Sequence, residues 1–198
     1  MKREIRRICV FCGSRSGTRP EYAAAAAECG ALLARLGIGL VYGGGNIGLM
    51  GRVADAALAG GGEVIGVIPA RLAERGVGHD GVTSLVVVET MHERKRRMAE
   101  LADGFLSLPG GIGTMEEFFE VFTWLQVGFH DKPVALLNVA GFYDPLLTWL
   151  DSLCQEGFLD EPQVRTLLVG RELPALVERM RRWEPGRGAG RLERLIGG

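Results

Sequence analysis

Glycines gather where three apolar, strand-like runs of the sequence end, and loops of this kind can bind an anion. The loops occupy residues 13–14, 43–51 and 109–114. Glycine lets backbone N–H groups approach an anion closely, and the N-terminus of a following helix adds a favourable dipole. In open α/β sheets, ligands bind outside the carboxyl ends of the strands. The spacing therefore predicts a site for a phosphate-bearing ligand at that edge, with Ser14, Gly44 and Gly45 among its candidate residues.

Residues 43–48 also match the string G-x-G-x-x-G, which occurs in dinucleotide-binding loops. That fingerprint needs an acidic residue about 20 residues later, near the end of the next strand, to bind the ribose. The next strand-like run ends at Pro69 without a carboxylate, and Glu63 lies at its beginning. The sequence therefore disfavours NAD or FAD as a ligand.

A run of charged residues, 91–98, opens the helix predicted after the fourth strand. Most runs of this kind are solvated helix faces. Cations at a helix N-terminus are electrostatically unfavourable, however, and Arg94 and Lys95 lie in or near the first turn. A bound anion would compensate this cost, so the position favours a functional role for Arg94.

Two acidic residues, Glu116 and Glu117, follow the third glycine loop, and the sequence leaves two interpretations open. Thr114 and Glu117 have the spacing of a capping box, and acidic residues are common in a first helical turn. Alternatively, a carboxylate lies beside a phosphate-binding loop, where a ribose would bind.

The elements that must position these residues alternate between strands and helices. Strands are predicted at 8–11, 38–42, 64–68, 84–88, 104–108, 133–137 and 166–169, and helices at 19–36, 48–59, 91–102, 114–127, 144–156 and 172–183. Thr18, Pro20 and Glu21 predict a capping box with an early proline at the first helix. The alternation predicts an α/β fold, a doubly wound, mostly parallel sheet of about seven strands with helices on both faces.

We expect one domain over residues 1–183 and a mobile C-terminal tail over 184–198. The helix at 114–127 is apolar almost all round after Glu120, so it needs cover on more than one side. The sheet covers one side of this helix. The other side is covered either by a second subunit or by the C-terminal helices of the same chain.

Composition excludes several classes of protein. With 23 basic and 24 acidic residues the net charge is −1, so no uniform basic field attracts nucleic acid or an anionic membrane. No apolar stretch approaches the ~20 residues of a membrane span, and the basic N-terminus runs into too few apolar residues for a signal peptide. We expect a cytoplasmic protein.

Cys9 and Cys12 lie three apart on a strand and point to opposite faces, so they form neither a metal clamp nor a disulfide.

The charged run and the third glycine loop together resemble the LOG family, the cytokinin riboside 5′-monophosphate phosphoribohydrolases, whose members are often labelled lysine decarboxylases. The resemblance rests on Met91-His92-Glu93-Arg94-Lys95 and on the motif P-G-G-x-G-T-x-x-E from Pro109 to Glu117. Further matches lie at 7–14, 42–45, 129–133 and 156–158, so the resemblance covers most of the chain up to about residue 183.

The resemblance implies a Rossmann-like homodimer that hydrolyses the N-glycosidic bond of N6-modified adenosine 5′-monophosphate. The products would be the free base, a cytokinin when the base is prenylated, and ribose 5-phosphate. The family's catalytic residues fall on Arg94 and Glu117. Its nucleotide-binding positions fall on Lys95, Gly110, Gly111, Gly113, Thr114 and Thr123. No cofactor is implied, and His79, His92 and His130 lack the spacing of metal ligands.

One position departs from the family, and two other functions remain open. Similar family members carry a Glu after the third strand where Gly76 lies here, so either Glu74 substitutes for it or a base contact is missing. A pyridoxal phosphate-dependent decarboxylase would need a Schiff-base lysine, and only Lys95 lies near the glycine loops. A carrier that binds a nucleotide or cofactor without catalysis is the other alternative, although a carrier has no need of a carboxylate at the ribose.

Overall fold

The computed structural model describes residues 4–184 of the chain. Over this range the strands are β1 (Arg7–Phe11), β2 (Gly39–Tyr42), β3 (Val64–Pro69), β4 (Ser84–Val88), β5 (Gly104–Ser107), β6 (Val134–Leu137) and β7 (Leu168–Gly170). The α-helices are α1 (Pro20–Arg35), α2 (Gly48–Ala59), α3 (Ala70–Ala73), α4 (Met91–Leu101), α5 (Ile112–Val127), α6 (Asp144–Gln155), α7 (Glu161–Val164) and α8 (Leu173–Arg182), and a 3₁₀ turn spans Val139–Gly141.

All seven strands form one parallel sheet in the order β4-β3-β2-β1-β5-β6-β7. The chain winds outward from β1 to β4 and then returns to start again at β5, on the other side of β1. The β1–β5 boundary, where Ile8 pairs with Gly104, is therefore the point at which the strand order reverses. In doubly wound sheets, ligands bind in the crevice at this point.

Helices cover both faces of the sheet, as predicted. Core residues of α1, α2 and α8 pack on one face, and those of α4, α5 and α6 pack on the other. Every residue of β2, β3, β5 and β6 is buried, which explains why the inner strands are continuous apolar runs. The prediction of an α/β, doubly wound parallel sheet of about seven strands is confirmed.

The predicted long strands and helices lie within two residues of their observed bounds. The predicted capping box at the start of α1 is wrong. Its N-cap is Arg19, and no side chain caps it, so Thr18 and Glu21 form no capping box. Pro20 occupies the first helical position, where its fixed φ suits the helix, and this sets the cap one residue later than predicted. The short helices α3 and α7 were not predicted. Of the predicted tail, residues 185–198 lie outside the described residues.

The cysteines are free in the described part of the chain. Cys9 belongs to the core on one face of the sheet and Cys12 to the core on the other, which confirms that they point in opposite directions. Between residues 4 and 184, none of the helices combines the length and apolar character needed to span a membrane.

Candidate active site

A cavity of about 630 Å³ lies at the carboxyl ends of β1 and β5, where the strand order reverses. The loops after β1 and β5 line it, together with the first turns of α1, α2 and α4, the first two turns of α5, and Phe142. Of the residues predicted for the site, the structure brings seven together on its wall: Ser14, Arg94, Gly110, Gly111, Gly113, Thr114 and Glu117.

Two glycines hold the loops after β1 and β5 in contact. The Gly13 N–H donates to the Pro109 carbonyl at 3.1 Å. A side chain at Gly110 would overlap Oγ1 of Thr114 and approach the Gly13 nitrogen to 2.9 Å. Glycine at 110 is therefore required by packing, because the two loops meet backbone to backbone.

The N-terminus of α5 opens into the cavity. Gly111 is its N-cap, and the first N–H groups of a helix have no intrahelical partners. Side chains built at Gly111 and Gly113 would meet no atom within 4 Å. Packing in the protein therefore does not require glycine at these two positions. The open space above these N–H groups has the form of an anion site.

Arg94, from the first turn of α4, is buried at the cavity wall with only 9% of its surface exposed. Its Nε donates to the Val67 carbonyl at 3.0 Å, and its Nη2 donates to the Gly43 carbonyl at 3.3 Å. Its Nη1 donates to Oε1 of Glu117 at 2.8 Å. The carboxyl ends of β2 and β3 thus fix the guanidinium in one orientation.

Gly43 has a specific reason to be glycine. A Cβ atom there would overlap Nη2 of Arg94 and lie 3.2 Å from its Cζ. The first glycine of the second glycine loop therefore makes room for the Arg94 side chain.

Glu117, in the second turn of α5, is as buried as its partner Arg94, at 9% exposure. Burial raises the pKa of Glu117 above its usual value, and the Arg94 guanidinium offsets only part of this effect. A carboxylate with a raised pKa beside a fixed cation is an arrangement typical of catalytic sites.

The capping-box interpretation of Glu117 is wrong. α5 begins at Ile112, two residues before the predicted start, so Thr114 lies inside the helix and does not cap it. A side-chain cap occurs at α4, where the Thr90 side chain accepts from the Glu93 N–H, and the Glu93 carboxylate accepts from the N–H of Glu89, the residue before the N-cap. Glu93 therefore has a local structural role at the start of α4.

Lys95 does not line the cavity. Its Nζ bonds to Glu116 and, at 3.0 Å, to Oε1 of Glu120. Burial alone would lower the pKa of Lys95, but its hydrogen bonds with these carboxylates raise it overall. Lys95 therefore ties α4 to α5 beside the buried pair, and its charge is already neutralised.

Three other candidates also lie outside the cavity wall. Gly44 and Gly45 are buried in the loop after β2, where His79 N–H donates to the Gly44 carbonyl and Gly45 forms a bridge with Gly78. Thr123 is exposed, two turns beyond Glu117 on α5. The structure therefore does not bring these three residues to the cavity.

The position that departs from the family lies in a tight turn. Gly76 has a φ of +71°, a conformation that side-chain-bearing residues rarely adopt. Neither Gly76 nor the exposed Glu74 lines the cavity, so the structure does not put Glu74 in place of the family's Glu.

Sequence reasoning missed several residues of the cavity wall. Most are apolar, namely Tyr22, Leu49, Met50, Met91, Ile112 and Phe142, and one, Arg15, is charged. Arg15 follows a loop that was predicted to bind ligand, and this proximity is the signal that could have identified it. Tyr22 and Phe142 come from distant parts of the chain and meet edge to face at 5.6 Å, a contact without a local sequence signal.

No group of three potential metal-ligating side chains occurs within residues 4–184. His79 instead bonds to Asp55 at 2.9 Å, and His130 bonds to the Val121 carbonyl at 2.8 Å.

Fold and site together define a Rossmann-like α/β protein in which the N-terminus of a helix lines a cavity beside a buried Arg–Glu pair. Residues 50–180 match the family model described as "Possible lysine decarboxylase". The chain is also 50% identical over 181 residues to the cytokinin riboside 5′-monophosphate phosphoribohydrolase LOG of Oryza sativa subsp. japonica, covering 91% of this chain and 75% of that protein. It is 46% identical over 184 residues to LOG2 of Arabidopsis thaliana, which has the same enzyme name, covering 93% and 86%. The chain belongs to this family, the LOG family.

Solved structures share the fold at low sequence identity. The molybdenum cofactor carrier protein of Chlamydomonas reinhardtii matches with a TM-score of 0.67 and 22% identity, over 89% of this chain and 98% of that one. The molybdenum cofactor binding protein of Rippkaea orientalis matches with a TM-score of 0.65 and 22% identity, over 88% and 93%. At this identity the similarity shows the fold.

Proposed function

We propose that this protein is a phosphoribohydrolase that hydrolyses the N-glycosidic bond of N6-modified adenosine 5′-monophosphate. Water adds to C1′ of the ribose and the base departs with a proton, which gives free base and ribose 5-phosphate. The observation that carries the proposal is the buried Arg94–Glu117 pair beside the N-terminus of α5, in a chain about half identical to enzymes named for this reaction.

The N-terminus of α5 fits the 5′-phosphate. Gly111 and Gly113 leave space above its N–H groups, and the helix dipole favours an anion there. Ser14 and Thr114 lie on the same wall and can donate hydroxyl hydrogen bonds to phosphate oxygens.

Glu117 fits a role at the ribose. It lies three residues after Thr114 on α5, about one helical turn from the proposed phosphate site. Cleavage of the glycosidic bond develops oxocarbenium character on the ribose, which a carboxylate stabilises directly or through the ribose hydroxyls. The raised pKa of Glu117 also suits it to accept a proton from the attacking water.

Arg94 fits two roles. Its Nη1 bond orients the Glu117 carboxylate, and its bonds to Val67 and Gly43 keep the guanidinium itself in place. A fixed cation at the cavity wall can also stabilise negative charge on the departing base. We therefore assign catalysis to Arg94 and Glu117.

The experiment is a comparison of base release from AMP, N6-modified AMP and the matching nucleosides, followed by chromatography. Monophosphates should be cleaved and nucleosides should not, because phosphate binding energy positions the ribose. Glu117→Gln should fold normally, since the amide oxygen still accepts from Arg94, but release base at least ~100-fold more slowly. Glu116→Gln is the matched control and should keep most of its activity, because its side chain is half exposed and bonded to Lys95.

Equal rates for AMP and adenosine would refute the phosphate anchor. If Glu117→Gln retained full activity, the assigned carboxylate would be wrong. Binding of AMP without any base release would favour the carrier.

The decarboxylase alternative does not fit the site. Pyridoxal phosphate enzymes hold their cofactor on a lysine, and none of the described residues that line the cavity is a lysine. Lys95 directs its Nζ to Glu116 and Glu120 instead. No step of the proposed reaction therefore involves that cofactor.

We also propose that the protein acts as a homodimer in the cytoplasm. Phe119 of α5 contacts Trp149 of α6 edge to face at 5.7 Å, so α6 covers part of the apolar helix. Trp149 is still 48% exposed, and Phe129 and Phe158 are more exposed. An apolar surface of this kind favours a second subunit. Sedimentation that shows a monomer at micromolar concentration would refute the dimer.

The proposed compartment rests on the cysteines. The free cysteines support a reducing compartment.

A further inference from the structure

Four charged side chains lie on the cavity wall, and three of them are already paired. Arg94 bonds to Glu117 at 2.8 Å, and Glu116 bonds to Lys95. Arg15 is exposed and makes no hydrogen bond or ion pair through its side chain with any residue from 4 to 184. Among the described residues, Arg15 is therefore the unpaired cation of the cavity.

The backbone of Arg15 is fixed close to the N-terminus of α5. Gly13, two residues earlier, lies against the loop after β5, and a side chain there would reach the Gly110 Cα at 3.4 Å. On the other side, a side chain at Gly48 would reach the Arg15 nitrogen at 2.6 Å, so the start of α2 packs directly on this segment. The loop that presents Arg15 is thus held between α2 and the proposed phosphate site.

The charge of a phosphate monoester cannot be balanced by the helix alone. At neutral pH the group carries about −1.5 to −2 charges, whereas a helix N-terminus supplies the equivalent of about +0.5. The Arg94 and Lys95 charges are offset by carboxylates. Of the groups on the wall, Arg15 has the free positive charge that the phosphate requires.

We propose that Arg15 binds the 5′-phosphate together with the N-terminus of α5 and sets the preference for monophosphates over nucleosides. This inference rests on the proposed function, because it names the residue that recognises the substrate's phosphate. The planar guanidinium suits the role, since it donates two parallel hydrogen bonds to phosphate oxygens.

The test compares Arg15→Gln with a control that loses the same charge elsewhere. Arg35 is exposed at the C-terminal end of α1. Tyr22 on the same helix lines the cavity, and 13 residues at 1.5 Å per residue put Arg35 about 20 Å away from it. Steady-state base release from AMP gives KM and kcat for each variant, and calorimetry gives the affinity for AMP, adenosine and inorganic phosphate.

Arg15→Gln should raise the KM for AMP by about 10- to 100-fold with kcat changed by less than about threefold, because a hydrogen bond between charged groups is lost. Affinity for AMP and for inorganic phosphate should fall in parallel, affinity for adenosine should not change, and Arg35→Gln should behave as the parent protein. Arg15→Lys should recover part of the AMP affinity, since it restores the charge without the two parallel bonds.

The inference would be overturned if the affinity of Arg15→Gln for AMP were within twofold of that of the parent protein. An equal loss of affinity for adenosine, or a fall in kcat at unchanged KM, would also overturn it. Calorimetry keeps this test separate from the proposed function. A protein that binds AMP through Arg15 without cleaving it would refute the hydrolase and leave the assignment of Arg15 intact.

Discussion

A methyl group added at Gly43 should disable the proposed catalytic pair while leaving both of its members in the chain. In Gly43→Ala the new Cβ would lie 3.2 Å from Cζ of Arg94 and 3.2 Å from Sδ of Met50, and it would overlap Nη2. Gly43 does not have a positive φ, so alanine imposes no backbone strain there. The guanidinium must therefore move away by about 1 Å, and a displacement of that size can cost about 10²-fold in rate.

The effect on stability should be much smaller. The displaced Nη2 loses its 3.3 Å bond to the Gly43 carbonyl, and overpacking of a buried site typically costs about 1–3 kcal/mol. For a chain of this size that lowers Tm by several degrees. Measurements of kcat/KM at 25 °C, with thermal unfolding followed in parallel, separate the two effects. Gly170→Ala is the matched control, since the atoms nearest to its Cβ belong to Leu176, the closest at 3.2 Å, at the far edge of the sheet.

A double-mutant cycle shows whether the methyl acts through Arg94. In an Arg94→Ala background the guanidinium no longer blocks the new Cβ, and the remaining neighbour, Sδ of Met50 at 3.2 Å, belongs to a flexible side chain, so adding Gly43→Ala should cause little further loss of activity. Full activity of a folded Gly43→Ala protein would refute the reasoning, because the guanidinium would then not need the position that it has in the structure. Additive losses in the cycle would also refute it.

Two further predictions concern Glu117 and Gly113. Burial raises the pKa of Glu117 above the ordinary value of 4.5, so activity that needs the ionised carboxylate should fall, as pH decreases, at a pH above 4.5. A pH profile of kcat/KM, which reports groups of the free protein, should show this acidic limb in the parent protein, and Glu117→Gln should lack it. Gly113→Ala should raise Tm, because alanine in open space stabilises a helix by up to about 1 kcal/mol relative to glycine. It should also raise the KM for AMP, because the methyl enters the space above the N-terminus of α5, and an unchanged KM would show that no ligand needs that space.

The fold was predictable because each inner strand is buried on both faces and therefore forms an uninterrupted apolar run. Helix starts were less predictable, since local signals compete there. At α1, Pro20 at the first helical position outweighed the capping pattern of Thr18 and Glu21. At α5, the capping-box spacing of Thr114 and Glu117 is not used, because the helix begins at Ile112 with Gly111 as its N-cap.

The sequence predicted site residues that adjoin a loop at the end of a strand. It did not predict the ion pairs that such residues form with side chains of another helix. Arg94 stood out because a cation near a helix N-terminus is unfavourable without a partner. Lys95 was predicted to bind the nucleotide because the family resemblance implies it. Its partners, Glu116 and Glu120, lie more than 20 residues away on α5, and no spacing rule for a single helix connects them.

The glycines show why residue type alone could not separate packing from binding. At Gly43 and Gly110, other protein atoms occupy the space that a side chain would need. These atoms belong to Arg94 at Gly43 and to Thr114 at Gly110. At Gly111 and Gly113 nothing occupies that space. Inside the helix, at Gly113, glycine is less stable than alanine, whereas glycine is a favourable N-cap residue at 111. Gly113 therefore brings the protein no advantage in stability until a ligand approaches the backbone. This difference, which exists only in three dimensions, supports the proposal that the phosphate binds at the N-terminus of α5, with Arg15 as the nearby unpaired charge.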